Sequence, residues 1–369
     1  MAPYRIPFVD LRVQTDQIRE NVFQKWQQVL DDRQFIGGQF VDDCETGIAE
    51  VFGLPYAIGV GNGCDALEIT LQALGVAEGD EVIIPSHTFI ATALAVKNVG
   101  ATPVVTDISS ETRCLDPDKV RLALTERTKV VMPVHLYGQF SNCNEIYQVL
   151  EQHRSKAVIV EDSAQAQGIN PYATELPERY VCTSFYPGKN LGAFGDAGAI
   201  ITSDHDLADR ARKIGNYGSK QKYLHDIEGR NSRIDPVQSA VVLEKIKHLQ
   251  SWIEQRQVQA NFYSSHLDSL PNLTTPQIDS SHNWHLYVVQ TPKRDALQAF
   301  LHEAAIESVL HYPYSMGEHP LVQQWGTVSS NLAGRTLAET CLSLPLYPGL
   351  SEPEQSRVVE LIHSFSQSN

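Results

Sequence analysis

Lys189 stands in the segment SFYPGKNLGAFG, with Gly188 before it and Gly192 and Gly195 after it. Upstream, the apolar run Ala157–Val160 ends in two carboxylates, Glu161 and Asp162. A lysine condenses with an aldehyde only as the neutral amine, which requires a lowered pKa. A carboxylate at the end of a buried strand must be paired or hydrogen-bonded, and a pyridinium N–H would satisfy it. Together they meet the needs of pyridoxal phosphate: a Schiff-base lysine, and an anion that keeps the pyridine nitrogen protonated so that the ring accepts electrons. Gln165 follows Asp162 in EDSAQ and is placed to donate to a phenolate-like oxygen on such a ring. The plainer reading makes Lys189 a loop residue and Asp162 the cap of a helix over SAQAQ. Ser184, Asp162 and the flanking glycines shift the balance toward chemistry.

Those residues need a scaffold that brings them together. The pattern alternates apolar strand-like runs with helical ones: Tyr56–Val60, EVIIP, TPVVTDI, KVVMPVHLYG, AVIVED, VCTSFY and GAIITS, with helices between. Such alternation predicts an α/β fold whose mainly parallel sheet is covered on both faces. Ligands of these sheets bind beyond the carboxyl ends of the strands. There the polar motifs fall: GNG, PSHTF, HLYG, EDSAQ and SFYPGKN. In GNGCDAL, glycines and an asparagine open a helix, a junction that aims backbone N–H groups at an anion, or simply an ordinary capped turn. Phe89 in PSHTF is a candidate to stack on the ring, or a core aromatic. Further on, a long helix from Val237 to Tyr263 precedes a strand-like HLYVVQ, a helix (Arg294–Ala305), a strand (Glu307–Tyr312) and two closing helical patterns. The expected division is a large domain over 1–245 and a smaller α/β domain over 246–369. Asp235 and Pro236 read as the cap and first turn of the long helix, leaving Asn231 and Arg233 spare for function.

Composition narrows the class. The 369 residues carry 42% apolar and 20% charged residues and a net charge of -15, a soluble globular composition that repels nucleic acid. No apolar run spans a bilayer, and the N-terminus lacks a signal-peptide pattern. Six scattered cysteines show neither a disulfide framework nor metal-ligand spacing, which predicts a reduced, cytoplasmic protein without a metal. One window departs from the acidic balance. Arg210–Arg233 holds seven basic residues and two acidic ones, either a solvated face or a local anion site.

EDSAQAQG followed by SFYPGKNLGAFGDAGAI resembles the PLP-dependent sugar-nucleotide aminotransferases of the DegT type. The likeness covers nearly the whole chain: IPFVDL, VGNGCDAL, IIPSHTFIATALA, VHLYGQ, NYGSKQKYLH, GRNSRIDPVQSA, HNWHLYVV, HYP and LSLPLYPGL. The resemblance implies the aspartate-aminotransferase fold (fold type I) and a homodimer with shared active sites. It implies Lys189 as the Schiff-base residue and proton shuttle, Asp162 at the pyridine nitrogen, Gln165 at the ring hydroxyl and Phe89 on the ring face. Gly63, Cys64 and Ser184 would cradle the phosphate, joined by Asn231 of the second subunit. KYLH and GRNSRIDPVQ resemble enzymes that aminate C3 of a dTDP-3-keto-6-deoxyhexose from L-glutamate, with pyridoxamine phosphate as the intermediate form of the cofactor. On that likeness His225, Tyr223, Arg233, His311 and Tyr312 would face the substrate. The alternatives are amination at C4, a UDP sugar, or a catalytically silent regulatory homologue. Two departures stand out: Cys64 and Gly188 replace the family's usual threonines, and YPYSMGEHP replaces its HYPxPxH pattern.

Overall fold

A computed structural model of the chain describes residues 5–278 and 281–368. Two helices lead in, α1 (Arg12–Asp32) and α2 (Gln39–Phe52), broken apart near Gly37 and Gly38, whose φ values of 64° and 89° suit glycine. Then β1 (Tyr56–Val60) and α3 (Gly63–Ala73) are followed by β2 (Glu81–Pro85), α4 (Ala91–Asn98), β3 (Thr102–Thr106), α5 (Pro117–Ala123) and β4 (Thr128–Val131). α6 (Cys143–Gln152) leads to β5 (Val158–Asp162), β6 (Tyr180–Ser184), β7 (Gly198–Thr202) and α7 (His205–Gly215). Helix starts are marked chemically: Asn62, Asp116, Asn142 and Asp204 each accept a backbone N–H of the first turn.

These seven strands and a late one, β11 (Thr327–Val328), form one eight-stranded sheet in the order β1-β7-β6-β5-β4-β2-β3-β11. All neighbours pair parallel except β7, which runs antiparallel to both β1 and β6. One face packs Val60, Val82, Val160 and Ile200 against α3, α4 and α7. Across the sheet, Val181, Ala199 and Ile201 meet α2 and the next long helix. The expected mainly parallel α/β sheet is therefore present, and its apolar strands are buried on both faces as such sheets require.

After a short hairpin, β8 (Ser219–Gln221) and β9 (Leu224–His225), α8 runs unbroken over Pro236–Leu267. It passes through residue 245 without interruption. Its first half packs Val242 and Leu249 on the large sheet, and its last turns bury Ala260, Tyr263 and Leu267 in a second core. That core rests on β10 (Tyr287–Gln290), α9 (Arg294–Glu303), β12 (Cys341–Leu344) and α12 (Glu352–Ser368). Between them come α10 (Pro320–Trp325), β11 (Thr327–Val328) and α11 (Leu332–Thr340). Two threads cross between the cores. β11 adds to the far edge of the large sheet beside β3, while Ile6 bridges to Ile306 and is buried in the smaller core.

Two expected strands differ from the structure. KVVMPVHLYG is regular only to Val131, because Pro133 has no N–H to continue the ladder. Pairing goes on through single bonds, with Asp162 N–H on Pro133 O (2.9 Å) and His135 N–H on Asp162 O (3.0 Å). Glu307–Tyr312 makes one bridge, Val309 with Ser343, and then leaves the sheet so that His311 and Tyr312 reach the large sheet's loops.

Candidate active site

Side chains alternate across a strand, so β5 sends its two terminal carboxylates to opposite faces. Glu161 enters a finished network. Its Oε2 accepts from His135 Nε2 (2.9 Å) and Asn170 Nδ2 (2.9 Å), and Arg179 Nε donates to Oε1 (2.9 Å). Ser141 N–H donates to His135 Nδ1 (3.1 Å), which places the ring proton on Nε2. Burial pushes the Glu161 carboxyl up, but His135 and Arg179 outweigh it and hold the pKa at about 2.

Asp162 has fewer partners. Thr92 Oγ1 donates to Oδ2 (2.9 Å) and the Ala164 N–H to Oδ1 (3.2 Å). Burial raises its pKa above the ordinary aspartate value, against those bonds and the charge of nearby Lys189. No helix follows Asp162, so the capping alternative falls away. Lys189 sits in the turn after β6, closed by its N–H on Tyr186 O (2.8 Å). A Cβ at Gly192 would lie 2.5 Å from Pro187 O, so only glycine lets the chain fold back there. Protein surrounds the amine, though the side chain remains partly reachable from outside. Burial lowers its pKa to about 8, with Asp162 opposing, so a usable fraction is neutral near pH 8.

Around this pair lie the residues expected with it. Gly63 opens α3 directly against Ser184; a Cβ on Gly63 would stand 2.7 Å from the Ser184 Cβ. The N–H groups of Gly63 and Cys64 are in the helix's first turn, where no intrahelical partner exists. The Cys64 thiol is pushed up to about 12 by burial and Glu68, so it can offer an anion its backbone but no charge. Gln165 Oε1 accepts the Tyr137 N–H (2.7 Å), which turns its NH₂ outward to the Tyr312 hydroxyl (3.1 Å). Phe89 is half exposed, its ring 5.5 Å from that of Tyr312. His87 is buried and accepts the Tyr312 N–H (3.1 Å), and Tyr137 donates to His311 O, so large-sheet loops hold the 311–312 segment in place.

The other four expected residues lie apart. In the 216–233 segment, His225 donates to Tyr217 O (2.8 Å), and Arg233 donates to Asn216 Oδ1 (2.8 Å). Asn231 bridges to Asn216, and Tyr223 is 84% exposed. No described hydrogen bond or ring contact links these four to Asp162, Lys189 or Gln165. Ser232 is the exception in the segment, bonded to Asp65 (2.6 Å) and to the Gly61 N–H (3.0 Å) at the base of the phosphate-type turn. Most of the basic window is neutralised, since Arg212, Lys213, Lys220 and Arg230 pair with Glu45, Asp226, Asp209 and Glu68. Thr92, Asn190 and His285 join the site, and sequence reasoning alone does not single them out. Their partners are distant in sequence, and only the place of His285 as the first residue of the strand-like HLYVVQ hints at it.

Residues 16–363 match the model of the DegT/DnrJ/EryC1/StrS aminotransferase family. The chain belongs to this family. A Streptomyces venezuelae dTDP-3-amino-3,4,6-trideoxy-alpha-D-glucose transaminase is 38% identical, over 98% of this chain and 97% of its own. An Acidithiobacillus ferrooxidans UDP-N-acetyl-3-dehydro-alpha-D-glucosamine 3-aminotransferase is 36% identical over 97% of each chain. A Geobacillus stearothermophilus protein named as a pleiotropic regulatory protein is 40% identical over 98% of each. Among solved structures, S. venezuelae DesV in complex with a ketimine intermediate superposes with a TM-score of 0.93, at 36% identity and over 99% of both chains. The fold is therefore that of the PLP-dependent aminotransferases, the chain is a sugar aminotransferase, and its cofactor is pyridoxal phosphate. The residues fit that group: an under-partnered buried carboxylate, a lysine of lowered pKa, a half-exposed aromatic, and an anion cradle that a Cβ at Gly63 would fill. Among the described residues, no helix is long and apolar enough to cross a membrane.

Proposed function

We propose that the protein transfers the amino group of L-glutamate to the 3-keto carbon of a dTDP-linked 3-keto-6-deoxyhexose, releasing 2-oxoglutarate and a 3-amino sugar nucleotide. One observation carries the position of amination: relatives named for dTDP and for UDP sugars alike place the nitrogen at position 3. KYLH and GRNSRIDPVQ likewise favour C3 over C4, and the preference for dTDP rests on the likeness to dTDP-3-keto-6-deoxyhexose 3-aminotransferases, in which GNG and NYGS also recur.

When bound, pyridoxal phosphate withdraws electrons from the amino-bearing carbon and so acidifies its C–H bond. Lys189 would hold the cofactor through its Nζ, and once free that Nζ would be the base that takes and gives back the proton of the amino-bearing carbon in both halves of the reaction. Asp162 holds the charge of the pyridine N–H, its geometry set by Thr92. Gln165 turns its NH₂ to the ring oxygen, and Phe89 covers one ring face. The N–H groups of Gly63 and Cys64, with Ser184, hold the phosphate. Asn231 reaches the phosphate of a second copy, and Tyr223, His225 and Arg233 of that copy meet the substrate together with His311 and Tyr312 of this one. Support for a homodimer with shared sites comes from the exposure of Tyr186, in the turn that carries Lys189, and of Tyr217, Tyr223, Leu224 and Ile227 in the 216–233 segment. We read residues 1–245 as the cofactor-holding unit and 246–369 as the smaller one.

The test is a coupled glutamate assay over dTDP- and UDP-linked 3-keto and 4-keto sugars, with NMR of the product. Turnover confined to 4-keto substrates would refute amination at C3. A purified protein that stays colourless on adding pyridoxal phosphate would instead revive a silent regulatory role.

A further inference from the structure

His285 lies in the loop before β10 and is held there from several sides. Arg256, buried on α8, donates to the carbonyls of Trp284 (3.2 Å), His285 (3.2 Å) and Leu346 (2.9 Å). From the opposite side, Gly138 approaches so closely that a Cβ there would sit 2.8 Å from the His285 N. Asn283 N–H and Leu286 N–H bond to the carbonyls of Gly138 (2.8 Å) and Tyr137 (3.1 Å). The loop is therefore fixed to the large domain.

The ring's tautomer follows from the orientation of one neighbouring amide. Asn190, next to Lys189 and fully buried, donates its Nδ2 to the main-chain carbonyl of Asn283 (2.8 Å), which can only accept. Its Oδ1 is thereby the atom 3.3 Å from His285 Nδ1. An amide oxygen only accepts, so Nδ1 carries the proton. Nε2 is left with a bare lone pair and no hydrogen-bond partner among the described residues. The ring keeps partial exposure, and Lys189 is the charged group that acts on it most strongly. A rigid, neutral acceptor thus faces the open site beside the lysine.

Which substrate group such an acceptor meets is a matter of chemistry. Glutamate offers carboxylates, whose oxygens would repel a lone pair, and an amine that is consumed when it condenses. A sugar offers hydroxyl donors next to its keto carbon. We propose that His285 Nε2 accepts a hydrogen bond from a hydroxyl adjacent to the keto carbon of the sugar, making His285 a specificity-determining residue of the sugar half-reaction. The proposal rests on the sugar-aminotransferase reading above and adds a named contact to it.

The experiment uses the holoenzyme, with each half-reaction followed separately by the cofactor's absorbance in single turnover. His285→Phe should leave the glutamate half within about twofold and slow the sugar half by about 10- to 100-fold. His285→Gln, which restores an acceptor, should recover most of that loss. Discrimination against a substrate lacking the adjacent hydroxyl should fall in His285→Phe to near unity. Independently of activity, ¹⁵N NMR of histidine-labelled protein should show the His285 resonance, identified by its loss in His285→Phe, as a neutral ring protonated at Nδ1. That Nε2 signal should shift when the keto-sugar nucleotide is added to the aminated enzyme. Equal slowing of both halves would mean the lone pair serves Lys189 and overturns the proposal, as would an Nε2-protonated ring. A wild-type enzyme that completes the glutamate half but aminates no keto-sugar overturns the substrate reading and this proposal with it. Full sugar activity in His285→Phe overturns this one alone.

Discussion

Glu161 and Asp162 are neighbours on one strand and have opposite fates. Glu161 is surrounded by His135, Asn170 and Arg179, and its charge is neutralised by donors that the chain supplies itself. Asp162 has a threonine hydroxyl and one amide, and its buried charge is not fully compensated. A buried carboxylate in a completed network stabilises structure. One left short of a cation is set up to receive a ligand that brings one.

Four experiments bear on this contrast. The largest effect is expected where the ligand is captured. Lys189→Ala should lose about 10⁴-fold or more in turnover, together with the imine absorbance of the bound cofactor; retention of both would remove Lys189 from the chemistry. Asp162→Asn should follow, with kcat falling about 10²- to 10³-fold as a buried charge pair is broken and little loss of stability in the cofactor-free protein. Glu161→Gln should do the reverse. It should destabilise by about 3–5 kcal/mol in urea unfolding, since Arg179 is left with an uncompensated charge, while the folded fraction keeps its kcat within about threefold. If Glu161→Gln abolished turnover without loss of stability, the contrast between the two carboxylates would not hold. Smallest of all, Tyr223→Ala should change stability by less than about 0.5 kcal/mol and raise KM for the sugar nucleotide about tenfold, measured with glutamate saturating.

The pH dependence of stability separates the same two groups. The Glu161 pKa of about 2 lies below its ordinary value of 4.5. Its contribution is therefore full above about pH 4.5 and is lost as the pH falls toward 2. Asp162 has the opposite sign. Its raised pKa makes ionisation unfavourable in the folded, cofactor-free chain, a penalty absent in acid and present at neutral pH. Loading the cofactor at neutral pH should remove that penalty, and the thermal midpoint should rise.

Much of the scaffold was legible in the sequence because apolar period and capping residues are local signals. The alternation from Tyr56 to Thr202 and the Asp235–Pro236 start of α8 are of that kind. β11 was not legible: it is two residues long and half exposed, and it becomes a strand only because β3 is there to pair with it. α7 runs only part-way into the basic window Arg210–Arg233, and that charge masks the helical spacing of its buried Leu207, Ala211 and Ile214. In the site, Lys189, Asp162 and Gln165 could be named from motif chemistry, and the structure brings them together with Phe89, Gly63 and Ser184. Thr92 and His285 could not, since each matters through one contact with a residue far along the chain. The 216–233 segment is the reverse case. Its motif was clear, while its own chain gives Tyr223, His225 and Asn231 nothing in the site to touch.

Ile6 and β11 have a consequence for how the molecule assembles. The strands β1 to β7 are complete by Thr202, yet the sheet's far edge waits for Thr327–Val328, and residues near Ile6 cannot settle until Ile306 has been made. During synthesis the early segment must stay undocked while some three hundred residues follow it, and loop closure over that length is slow. A ribosome-bound chain halted before Ile306 should therefore hold the sheet's centre but leave the segment around Ile6 open to protease. Completion of the smaller core then marks the point at which that segment is locked in.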